Sequence, residues 1–120
     1  MERKLKYLYL LYADESKMPA PDSPQMQQQE AAFGRYYEEV SGRGMFKGGD
    51  PVQPSRTATT VRVRDGSTKA SPGPFTTGSE QVIGFYVIEA KNQDEAIAYA
   101  AKVPSASVGA IEVRPIVGAS

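Results

Sequence analysis

Two runs of this chain are apolar at nearly every position. Leu5-Lys6-Tyr7-Leu8-Tyr9-Leu10-Leu11-Tyr12 and Val82-Ile83-Gly84-Phe85-Tyr86-Val87-Ile88 put aliphatic or aromatic side chains on both faces of an extended chain, the pattern of strands covered on two sides. Both belong in the middle of a sheet. Elsewhere the period changes. Met26, Phe33, Tyr37 and Val40 recur at helical spacing, with Ser23-Pro24 as N-cap and first helical residue and Gly42-Arg43-Gly44 as the stop. Gly34 lies inside this helix, where a missing side chain is expected to mark close packing on the sheet. A second helix starts after Asn92, with Glu95 completing a capping box, and carries Ala96, Ile97, Ala100 and Val103 on its apolar face until Pro104.

The remaining segments read as short strands. Met45-Phe46-Lys47 is one. Thr57 to Arg64 alternates Val61 and Val63 against Thr60, Arg62 and Arg64, and Asp65-Gly66 then closes a type I′ hairpin that returns through Ser67 to Ala70. Ala110 to Val117 alternates again, and Pro115 marks it as an edge strand. The order predicts a single α+β domain over residues 1–120, ferredoxin-like βαββαβ with an inserted β-hairpin. Two helices cover only one face of such a sheet. The apolar residues on the other face need a cover, and a homodimer packed through the sheet faces is the expected one.

Composition narrows the chemistry. Lys plus Arg and Asp plus Glu number 14 each, so no bulk field draws the chain to nucleic acid or anionic lipid, and neither direct nucleic-acid contact nor membrane association is expected. No apolar run is long enough to span a bilayer, and a cytoplasmic location is expected. Cysteine and histidine are both absent, which removes disulfides, thiolate nucleophiles and the commonest base and metal ligand. Asp14, Glu15 and Asp50 have no Ca²⁺-loop spacing. No metal or cofactor is expected.

Four pieces of sequence, in order, resemble the YCII-related proteins, in particular their DGPF-domain branch. They are Leu10-Leu11-Tyr12-Ala13-Asp14-Glu15, then Thr60-Val61-Arg62 with Asp65-Gly66, then Gly73-Pro74-Phe75 with Glu80, and finally Gly109-Ala110-Ile111-Glu112-Val113-Arg114-Pro115. The resemblance implies a dimeric α+β-barrel fold with a cleft between sheet and loops. It also implies that a His and Asp pair serves as acid and base in some relatives, and that some DGPF domains accompany extracytoplasmic-function sigma factors. The chain departs from the pattern. It has no His, Pro72 stands where the name-giving Asp belongs, and Thr77, Gly78 and Ser79 replace charged positions after Phe75.

The candidate ligand-binding residues are therefore Tyr12, Asp14, Arg62, Phe75, Glu80 and Tyr86, around a small anionic or polar-aromatic molecule. The stiff Pro72-Gly73-Pro74 segment would hold Phe75 as a pocket wall, or simply as an edge plug of the core. Arg62 offers a planar donor to an anion, or an ion pair with Asp14, Glu15 or Glu80. For catalysis the candidates are Asp14, Glu80 and Tyr12, as an acid/base set of isomerase or lyase type. A strand tyrosine more often buries its ring and satisfies its hydroxyl. The leading expectation is a binding domain without turnover; the other readings are an acid/base enzyme and a protein-interaction module linked to sigma-factor-dependent transcription.

Overall fold

The computed structural model describes residues 4–118. Its strands are β1 (Leu5–Asp14), β2 (Phe46–Pro51), β3 (Thr59–Arg64), β4 (Ser67–Pro72), β5 (Glu80–Ala90) and β6 (Ala110–Pro115), and its helices α1 (Pro24–Gly42) and α2 (Gln93–Ala100). Four strands form one antiparallel sheet in the order β2-β5-β1-β6, while β3 and β4 pair only with each other. The two continuously apolar runs are the two central strands, in the order the ferredoxin-like topology requires.

Local chemistry starts both helices, and stops α1, as read. The Ser23 hydroxyl accepts from the Met26 N–H at 3.1 Å, and the Asn92 side chain accepts from the Glu95 N–H at 2.9 Å. Glu95 returns the favour by accepting from the Lys91 N–H at 3.0 Å. Asp65 and Gly66 take φ of 51° and 78°, so both central turn residues are left-handed as a type I′ hairpin requires.

Both helices pack on one face of the sheet. Tyr7, Tyr9 and Leu11 of β1, Ile88 and Ala90 of β5, Tyr36 and Val40 of α1, and Ala96 and Ala100 of α2 form the buried core, closed by Met45 and Val103. Burying a side chain such as Val40 stabilises the fold by roughly 1.5–3 kcal/mol. The Tyr9 hydroxyl donates to the Ala96 carbonyl and the Tyr36 hydroxyl to the Tyr99 carbonyl, which ties sheet to α2 and α1 to α2. Alternation turns Leu8, Leu10 and Tyr12 of β1, with Phe85 and Val87 of β5, to the other face, where each is half-buried.

Several details differ from the sequence reading: α2 ends at Ala100, short of Pro104, and the short strand read as Met45-Phe46-Lys47 runs on to Pro51. The buried stripe of α1 runs through Tyr36 and Val40, while Tyr37 is 49% exposed, because the helix contacts the sheet along the line one residue earlier. Ile97 is likewise 49% exposed, while its neighbour Ala96 is fully buried and accepts the Tyr9 hydroxyl bond at its carbonyl. Gly34 is exposed and a Cβ there would meet nothing within 4 Å, so it does not mark close packing. Gly49 does. With φ of 148°, its Cβ would collide with the Phe85 carbonyl oxygen and lie 2.6 Å from a ring carbon of Tyr86. Only glycine lets β2 run this close to β5.

Candidate functional site

A large recess lies on the helix-covered side, where α1 leans over the β2 edge of the sheet. It encloses about 910 Å³, within the range of small-molecule sites. One wall is α1, with Met26, Glu30, Phe33 and Tyr37. The opposite wall is β2 with Phe46, Gly49 and Asp50, and the floor is β5 from Val82 to Tyr86. Two loops form the mouth: Glu15 to Pro21 after β1, and Val52 to Arg56 after β2.

Register explains the floor. Leu11 pairs with Gly84 and Tyr12 with Val82, so Ile83 is an extra residue that bulges β5 beneath the recess. The aromatic walls are mutually fixed. Tyr37 and Phe46 meet edge-on with centroids 4.9 Å apart, Phe46 and Tyr86 at 6.1 Å, and Tyr86 leans on Tyr36 at 5.5 Å.

Glu15 holds the mouth together. Its carboxylate accepts from the Ser55 N–H at 2.7 Å and from the Ser55 hydroxyl at 2.5 Å, bridging the two loops. The hydroxyl bond, then the N–H bond, lower its pKa, and Arg56 assists. Asp14 is held down in the same sense by the hydroxyl and N–H of Ser16. Burial raises the Tyr86 phenol, and likewise Tyr36 and Tyr9 beneath it. Around neutral pH these carboxylates are therefore ionised and these phenols protonated. The recess can accept hydrogen bonds and positive charge, or donate through Tyr86, but these groups offer it no acid or base poised near neutrality.

Of the residues expected in one cleft, Tyr86 lines the recess. Tyr12 faces the opposite side of the sheet, because β1 alternates and Leu11 already points toward the helices. Asp14 and Glu80 are register partners at the end of the β1–β5 pair, with Glu80 exposed. Arg62 stacks on the Phe75 ring, 4.9 Å from its centroid, on the projecting hairpin and its return loop. Phe75 itself is 69% exposed and borders a shallower depression of about 430 Å³ with Pro54, Thr57 and Gln81. Gln81, which is buried, clamps the loop by donating to the carbonyls of Thr76 and Gly78. The six candidates thus fall into separate groups. Their number includes none of the residues on α1 and β2 that wall the recess, whose sequence signal, the stripe Met26, Phe33 and Tyr37, reads as core.

Residues 5–119 match the YCII-related domain. The chain belongs to the YCII-related domain family. An uncharacterized protein of Rhizobium meliloti (strain 1021) is 34% identical over 115 residues, spanning 92% of this chain and 90% of its own. The α+β architecture agrees with this family's ferredoxin-like fold. The described residues contain no helix long and apolar enough to cross a membrane.

Proposed function

We propose that this YCII-related domain, of the DGPF type, binds a small polar-aromatic molecule in the recess between α1 and β2, without turning it over. The observation that carries this reading is the recess itself: about 910 Å³ walled by Phe33, Tyr37, Phe46 and Tyr86. Its loops are joined by the Glu15 to Ser55 bridge. Pre-formed apolar concavity with a few polar groups is the usual form of a ligand site. The acid/base alternative has less behind it, since Glu15 and Asp14 are pushed toward ionisation and the neighbouring phenols away from it.

The domain acts as a homodimer joined through the sheet face that bears Leu8, Leu10, Tyr12, Phe85 and Val87. These are apolar side chains that neither helix covers. The two parts of the proposal are tested separately. Filling the recess with Phe33→Trp should abolish the thermal shift given by a panel of aromatic metabolites. A panel without effect on the wild type, or an unchanged shift in the variant, refutes the site. Leu10→Asp should convert a sedimenting dimer into a monomer of 13.0 kDa; a wild type that sediments as a monomer at micromolar concentration refutes the dimer.

A further inference from the structure

The recess carries charge that the whole chain does not. Acidic and basic residues balance over the sequence, yet the lining holds Glu15, Glu30 and Asp50 against the single guanidinium of Arg56. Glu15 is committed: it accepts both donors of Ser55 and lies in the field of Arg56. Glu30 and Asp50 have no hydrogen-bond or ion-pair partner among the described side chains, and they stand on opposite walls, one on α1 and one on β2.

We propose that the recess selects organic cations, an amine or quaternary ammonium carrying an aromatic or branched apolar group; this rests on the recess being a ligand site. Two kinds of surface converge on such a ligand. Phe33, Tyr37, Phe46 and Tyr86 line the recess, and aromatic rings around a ligand can attract a cation through their quadrupoles while enclosing its apolar body. Glu30 and Asp50 supply the counter-charge at the rim, where the ammonium keeps part of its hydration.

Other occupants fit less well. An inorganic cation wants several oxygens converging on one point, and no group of three carboxylates among the described residues is gathered closely enough to hold one. An anion would face Glu30 and Asp50, with Arg56 already offset by Glu15. The arginine expected from the sequence to receive an anion, Arg62, is stacked on Phe75 and does not line the recess.

The test uses three probes of one shape, titrated into the wild-type chain by calorimetry: 2-phenylethylammonium, 2-phenylethanol and phenylacetate. The ammonium should bind roughly tenfold or more tightly than the alcohol, from cation–π attraction and the counter-charge of two carboxylates at the rim, and phenylacetate should bind most weakly. Added salt should weaken the ammonium and spare the alcohol. In a Glu30→Gln, Asp50→Asn double variant the ammonium should lose most of its advantage over the alcohol, whose own binding is unchanged. Equal affinity of ammonium and alcohol in the wild type overturns the cation selection and leaves the ligand site standing. Tightest binding by phenylacetate overturns it likewise. Failure of all three to bind overturns the site as well, and the wild-type series decides these outcomes whether or not the double variant folds.

Discussion

Raising the pH above 10 should destabilise this protein through its buried tyrosines. Tyr9 is fully buried and Tyr36 is 4% exposed, and both phenols are raised above their ordinary value, first by burial. The native state therefore keeps protons that the unfolded chain releases from about pH 10 upward. A group whose folded pKa is raised contributes stability that is intact below the unfolded value and is lost as pH climbs from it toward the folded one. Each phenol costs about 1.4 kcal/mol per pH unit in that window, so the pair removes about 4 kcal/mol by pH 11.5. That is a large fraction of the 5–15 kcal/mol a domain of this size has to lose. Urea midpoints measured from pH 9 to 11.5 should fall steeply. Tyr36→Phe should be weaker at pH 8 by about 1 kcal/mol, having lost its 3.0 Å bond to the Tyr99 carbonyl, yet should fall with a shallower slope than the wild type, the rest coming from Tyr9 and Tyr86. A wild-type midpoint that is flat across this range, or a variant slope equal to the wild type's, would refute the reasoning.

The other expectations are more local. Gly34→Ala should stabilise the domain by about 1 kcal/mol, since the added methyl meets open space on a helix surface; a lower urea midpoint would contradict the exposed placement. Ser105→Ala should also stabilise, by about 1 kcal/mol, because the buried Ser105 hydroxyl has no partner among the described residues. Gly49→Ala should cost about 3 kcal/mol from its left-handed φ and its collision with β5, and an unchanged midpoint would mean that β2 does not run so close. At the acid end, Glu15 has a depressed pKa, so its contribution is present above its ordinary 4.5 and lost as pH falls through the lower folded value. Ser55→Ala should therefore flatten the decline in stability below that pH, whereas Ser107→Ala, which touches no carboxylate, should not.

Much of the fold was legible because it is written in local chemistry. The caps at Ser23 and Asn92, the stop at Gly44 and the turn at Asp65-Gly66 each depend on a few adjacent residues and took the geometry expected of them. The central position of β1 and β5 followed from their being apolar on both faces. The helix stripe was misjudged by one residue at Tyr36 and Tyr37, since both are the same amino acid and only the lean of α1 against β5 chooses between them.

The candidate site was far less legible. Tyr12 and Tyr86 are both aromatic residues of central strands, and their neighbouring positions in sequence terms are equivalent. Pairing Tyr9 with Tyr86, and bulging Ile83 before Tyr12 meets Val82, puts one toward the helices and the other away. Glu15 and Ser55 are 40 residues apart, and no pattern announces that one will bridge to the other. The chain's own order of residues determined the family, the elements and the strand ranking, all of which rest on period, turn chemistry and burial within a few residues. Tertiary structure alone decided which side chains share a recess, because that depends on the tilt of α1 and on the register of β2, β5 and β1, set by packing over the whole sheet.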